Sequence, residues 1–91
     1  MLVAVCYDVP DDRRRTRLAK LLEGFGARVQ KSVFECDLNP KLLDRLKKKI
    51  SRVVSASEDS LRYYYLCRDC QERIEVMNGP AVEKTKPYFV A

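Results

Sequence analysis

The chain has 91 residues, with 18 Lys and Arg against 13 Asp and Glu for a net charge of +5. That length holds one small domain, near the lower limit for a single core without a covalent staple, and the positive balance favours polyanionic partners over acidic ones. No stretch reaches the roughly 18 apolar residues of a membrane span, and the first residues lack the charged-then-apolar pattern of a signal peptide, so a cytoplasmic protein without membrane contact is expected.

Leu2 to Tyr7 (LVAVCY) is an unbroken apolar or near-apolar run, too short for a core helix and β-prone enough to read as a strand buried on both faces. Asp8 stands at its exit, and Pro10 ends the ladder. Asp11 or Asp12 can cap the helix that follows, whose apolar positions Leu18, Leu21, Leu22 and Phe25 recur at i, i+3, i+4 and i+7. Gly24 and Gly26 supply its stop. Ala27 to Leu38 reads as two short strands in a tight hairpin around Lys31 and Ser32.

Asn39 followed by Pro40 is an N-cap with Pro at the first helical position. Leu42, Leu43, Leu46, Ile50, Val53 and Val54 then form a second stripe, opposite a face of Lys41, Arg45, Lys47, Lys48, Lys49 and Arg52 that is either solvated or a polyanion contact. Leu61 to Cys67 (LRYYYLC) reads as another interior strand, its tyrosines Tyr63, Tyr64 and Tyr65 better suited to core and interface than to stacking on bases.

Strand, helix, strand, strand, helix, strand is the split βαβ plan, so the fold class expected is α+β, ferredoxin-like βαββαβ, as one domain over residues 1–91. Helices cover one sheet face in that plan. The apolar first and fourth strands then call for a cover on the other, and a second copy of the chain, giving a homodimer through the open sheet faces, is the economical one. Arg73 to Met77 reads as an extra C-terminal strand, Asn78-Gly79-Pro80 as a turn, and Tyr88 to Val90 as a last apolar triplet, so that roughly residues 73–91 contact the partner subunit.

Of the four cysteines, Cys6 and Cys36 fall in strand patterns and are expected in the core. Cys67 and Cys70 form a single CxxC, half a zinc site and a thin redox signal, for which a structural or incidental role is expected. A reading of the whole chain as a small metal or redox protein, binding zinc or copper through that pair, rests on this feature alone.

The run Tyr7 to Leu38 (YDVPDDRRRTRLAKLLEGFGARVQKSVFECDL), with Tyr-Asp at the strand end, Asp-Asp and paired arginines, a Leu-rich helix closed by Gly, then Arg-Val-Gln and Ser-Val-Phe-Glu, resembles the small CRISPR-associated endoribonuclease family, the second Cas protein of the spacer-acquisition module. Asp59 to Cys67 (DSLRYYYLC) resembles that family's fourth strand. The resemblance implies a ferredoxin-like homodimer, Mg²⁺ (or Mn²⁺) between two symmetry-related aspartates, RNA or DNA as substrate, and a partnership with the CRISPR integrase dimer. The matching acid is Asp8, as catalytic and metal-binding residue. Arg14, Arg15 and Arg28 match the phosphate-handling positions, and Tyr7, Ser32 and Phe34 the other motif positions near the cleft.

The chemistry agrees on independent grounds. Without any histidine, an imidazole acid/base pair of the metal-free ribonuclease kind is excluded, which leaves a metal-assisted route with oxygen ligands. One Asp per chain is a poor cage; two across a dyad, with waters and substrate oxygens, suffice. The competing role for Asp8 is a turn or cap ahead of Pro10, although Asp11 and Asp12 lie nearer the helix. Arg13, Arg14, Arg15 and Arg17 either pair with Asp11, Asp12 or Glu23 or bind phosphate, which would relieve the opposition between cations and the dipole of a helix's first turn. The alternative function is a non-catalytic, DNA-binding scaffold that docks the integrase.

Overall fold

The computed structural model describes residues 1–79 and 82. The chain runs β1 (Leu2–Asp8), α1 (Asp12–Glu23), β2 (Ala27–Gln30), β3 (Val33–Asp37), α2 (Pro40–Ser51), β4 (Ser60–Leu66) and a short α3 (Arg68–Glu72). The sheet is antiparallel throughout, in the order β2-β3-β1-β4, the ferredoxin-like plan. β1 lies between two partners: it pairs with β3 from Leu2↔Asp37 to Cys6↔Val33 and with β4 from Leu2↔Leu66 to Asp8↔Ser60.

Alternation along the strands sorts the two faces. Val3, Val5, Tyr7, Phe34 and Cys36 point to the helices, where they meet Leu18, Ala19 and Leu22 of α1 and Leu43, Leu46 and Ile50 of α2. Phe34 lies at the centre with no exposed surface, so truncating it to Ala would cost about 3–5 kcal/mol. Val53 and Val54 lie beyond the end of α2, half-buried in the turn that caps it, and still pack on this cluster. Caps set both helix starts: the Asp11 side chain accepts from Arg14 N and the Asn39 side chain from Leu42 N, the latter a bond worth about 1 kcal/mol. Gly26 allows the chain leaving α1 to run hard against β3, since a Cβ there would lie 2.3 Å from the Glu35 carbonyl oxygen.

Four expectations change. β4 is an edge strand, not an interior one, and Tyr64 and Tyr65 are 46% and 47% exposed, while only Tyr63 packs on the core. Their neighbours explain it: Tyr64 lies on the open face and takes a hydrogen bond from Arg62, and Tyr65 reaches the rim of α2, where Lys47 donates to its hydroxyl at 2.6 Å. Cys6 sits half-buried on the open face, and only Cys36 joins the core. Arg73–Met77 forms no strand: the chain turns at Cys67, whose sulfur caps α3, and Arg73 closes that helix through its N–H to the Cys70 and Gln71 carbonyls. Within the single chain this segment adds to neither edge of the sheet. The triplet Tyr88 to Val90 lies outside the described residues.

Candidate functional site at the exit of the central strand

Asp8 is the last residue of β1 and points away from the helices, opposite Ser60 on β4. Among the described residues its exposed carboxylate takes no hydrogen bond and pairs with no cation. The acids around it are all engaged. Asp11 caps α1, Asp12 bonds the Arg15 guanidinium, and Asp59, whose side chain is wholly covered, accepts from Arg14 Nε at 2.9 Å, Arg14 Nη2 at 3.2 Å and Ser55 N at 2.7 Å. The Arg14 bonds, reinforced by the Ser55 N–H, hold the Asp59 carboxyl below the usual carboxylate range. Arg14 also reaches Glu58 at 2.7 Å, and these two acids raise its own pKa.

The residues singled out around Asp8 form a brace. The Lys31 carbonyl, in the turn between β2 and β3, accepts from Tyr7 Oη at 3.3 Å and from Arg28 Nε and Nη2 at 3.2 and 2.8 Å. Next to it the Ser32 carbonyl accepts from Tyr7 N at 3.0 Å. Phe34 stacks on Tyr7 with ring centroids 6.3 Å apart, and the Arg28 guanidinium lies 5.6 Å above the Phe34 ring. Tyr7, Arg28, Ser32 and Phe34 thus tie the hairpin turn to the end of β1 directly before Asp8. On its other side Arg15 Nη1 donates to the Val9 and Pro10 carbonyls at 3.0 and 3.3 Å, holding the bend that follows it. Arg14 fastens α1 to the loop leading into β4, beside Asp8's register partner.

This geometry gives several of the residues expected to contact nucleic acid partners within the chain itself. Phe34 and Tyr7 are buried and offer no ring face to a nucleic acid. Arg14, Arg15 and Arg28 direct their guanidinium groups at protein oxygens, because each lies within reach of carboxylates or carbonyls already fixed by the fold. The first-turn cations of α1 are balanced locally by Asp11, Asp12, Glu58 and Asp59, with no phosphate needed for that purpose. Arg13 and Arg17 are exposed and, among the described residues, unpaired, and so remain open to a polyanion. The Lys31 carbonyl and the Glu58–Asp59 pair escape sequence reasoning: a backbone acceptor leaves no residue-type signal, and Asp59 lies 45 residues from Arg14.

Among the described residues no three Cys, Asp or Glu side chains converge as a metal cage. A single chain brings one unpartnered carboxylate to the site, a donor of the hard oxygen type that suits Mg²⁺ or Mn²⁺ but too few by itself. The residues fit such an ion as half of a shared set.

A profile of the family described as CRISPR associated protein Cas2 matches residues 1–74. The chain belongs to the Cas2 family. A Cas2 relative from Chloroflexus aurantiacus, named a CRISPR-associated endoribonuclease, is 42% identical over 99% of both chains. The crystal structure of Streptococcus pyogenes Cas2 superposes with a TM-score of 0.77 at 35% identity, covering 86% of this chain and all of that one. A Cas2-like chain in a structure described as a partial Cas6-RT-Cas1–Cas2 complex superposes with a TM-score of 0.76 at 33% identity over 92% of this chain and 98% of that one. Among the described residues no helix is long and apolar enough to cross a membrane.

Proposed function

We propose that this Cas2 chain acts in CRISPR spacer acquisition as a homodimeric, metal-dependent endonuclease that hydrolyses phosphodiester bonds of RNA, with DNA as a second substrate, and that it assembles with the Cas1 integrase dimer. The observation that carries the catalytic part is Asp8: alone among the described acids around the exit of β1, it stands exposed and without a partner among the described residues, on a strand end braced from both sides. The endoribonuclease name of the Chloroflexus relative supports the reaction class, and the Cas1–Cas2 complex supports the partner.

In this reading Asp8 of each copy holds Mg²⁺ or Mn²⁺. The ion, when bound, neutralises charge on the scissile phosphate and favours ionisation of the attacking water. The chain itself supplies position. Tyr7, Arg28 and Arg15 hold the backbone on either side of Asp8, and exposed Arg13 and Arg17 attract the phosphate backbone. The open sheet face suits a two-fold copy. It presents Ala4, Cys6 and Val33 beside Arg62 and Glu35, one of whose carboxyl oxygens is buried without a hydrogen-bond partner among the described residues, and burial pushes the Glu35 pKa up. A self-pairing face with both charges can satisfy itself across a dyad.

The test is cleavage of labelled single-stranded RNA and double-stranded DNA by wild type and Asp8→Ala, with Mg²⁺ and with EDTA. The expected result is cleavage that needs both the carboxylate and the ion. Equal products from wild type and variant, with DNA binding retained, would overturn the nuclease and leave the second reading: a basic scaffold docking the integrase. That reading draws on the Cas1–Cas2 assembly and on the single carboxylate each chain contributes.

A further inference from the structure

Cys67 and Cys70 take no part in the site at the exit of β1. Both are exposed, their sulfurs lie 3.3 Å apart, and the Cys70 backbone N–H points at Cys67 Sγ from 3.4 Å. The fold builds this contact. Gln71 Nε2 donates to the Leu66 carbonyl at 3.0 Å and Gln71 N to the Cys67 carbonyl at 2.9 Å, so the chain leaving β4 is wound into a turn that puts both sulfurs on one side.

The separation distinguishes between two chemistries. A tetrahedral zinc ion with sulfurs about 2.3 Å away would spread them to about 3.8 Å and would need two more ligands. The sulfurs are closer than that, and no third metal-ligating side chain joins them among the described residues. From thiol–thiol contact, by contrast, a disulfide needs only a side-chain adjustment. The surroundings also give the pair a direction. The Cys70 N–H, then the Cys70 thiol, hold the Cys67 thiol below its usual pKa against the opposing charge of Asp69, whereas Cys67 pushes Cys70 up. Burial pushes the other two thiols up, Cys36 to about 11, and leaves Cys36 inside the core.

We propose that Cys67 and Cys70 are a reversible dithiol–disulfide pair that exchanges with small-molecule disulfides such as oxidised glutathione. The Cys67 thiolate attacks one sulfur of the small disulfide, expels one small thiolate and carries the other half as a mixed disulfide. Cys70 gives its proton to solvent, attacks Cys67 Sγ and expels the second small thiolate. Two thiols of the chain are oxidised to one disulfide, one small disulfide is reduced to two thiols, and excess thiol reverses both steps. Closure staples α3, the turn from which the chain leaves β4.

The experiment equilibrates the reduced full-length chain with mixtures of oxidised and reduced glutathione and maps the products by mass spectrometry. An internal Cys67–Cys70 disulfide that dithiothreitol reopens is expected, with Cys6 and Cys36 still thiols. Cys70→Ser should stop at a glutathione adduct on Cys67, and Cys67→Ser should react at Cys70 roughly three- to tenfold more slowly. A measurement on the wild-type chain alone guards against misfolded variants: a thiol-alkylating probe should label Cys67 faster than Cys70 in buffer and at the same rate in guanidinium. Adducts on both residues without internal closure, equal labelling of the two in buffer, or zinc alone occupying the pair and blocking oxidation would each overturn the proposal.

Discussion

Asp8 and Asp59 are near neighbours in the fold, since Asp8 pairs in register with Ser60, the residue after Asp59, yet the two carboxylates are treated in opposite ways. Asp59 is in the loop entering β4, its side chain wholly covered and bonded by Arg14 and the Ser55 N–H. Asp8 ends a strand on the open face, exposed, with no partner among the described residues. A loop can fold back around its own acid and bring a cation to it. The last residue of a central strand cannot, because the ladder fixes where its side chain points. Acids and arginines crowd together in the sequence here, and it is backbone geometry that makes one acid a strut and leaves the other available as a ligand.

The largest effect should come from the ligand side of this contrast. Asp8→Ala should lower Mg²⁺-dependent cleavage by about 10²-fold or more with the melting temperature unchanged, measured by gel assay beside a thermal melt. Next is the brace. Phe34→Ala should shift the urea midpoint by the equivalent of about 3–5 kcal/mol, since it empties the centre of the core beneath Tyr7.

Arg14→Ala tests the strut directly. It should lower the melting temperature by several degrees while the folded protein keeps its cleavage rate within about twofold, as expected of a residue outside the chemistry. A large loss of rate at unchanged stability would instead make Arg14 a phosphate contact and dissolve the contrast. The same strut has a pH signature. The folded-state pKa of Asp59 lies below its ordinary 3.8, so its stabilisation is present above that value and is lost as pH falls through the folded-state pKa. Melting curves between neutral and strongly acidic pH should show an acid limb that Asp59→Asn makes shallower.

The smallest effect belongs to the unpaired cations. Arg13→Ala with Arg17→Ala should weaken nucleic-acid binding a few-fold and reduce its salt dependence by about one counterion per lost phosphate contact, leaving the melt unchanged. If binding is untouched, the basic face of α2 carries the contact instead.

Much of this is legible in the residues themselves. The Leu18, Leu22 and Leu43, Leu46 stripes, the Asp11 and Asn39 caps and the split of Ala27 to Leu38 into two strands are local matters of periodicity and hydrogen-bond chemistry, and all appear in the structure. Asp8 at the strand exit is equally local. The status of the cysteines is not: Cys6 and Cys36 look alike in their strand patterns, yet one faces the open side and the other the core. Cys67 and Cys70 meet because the short α3, capped by Cys67, follows β4 directly.

The sequence by itself determined the element order as far as β4, the helix starts, the family resemblance and the acid at the end of β1, because caps, stripes and strand ends are set by residues a few positions apart. Only the tertiary structure decided that Arg14, Arg15 and Arg28 turn to protein oxygens, that Phe34 and Tyr7 support the site from below, and that β4 is an edge. Whether a cation meets a carboxylate, a carbonyl or solvent depends on which distant segments the core draws together. Arg14 and Asp59, 45 residues apart in the chain and 2.9 Å apart in space, carry no sign of each other in the sequence.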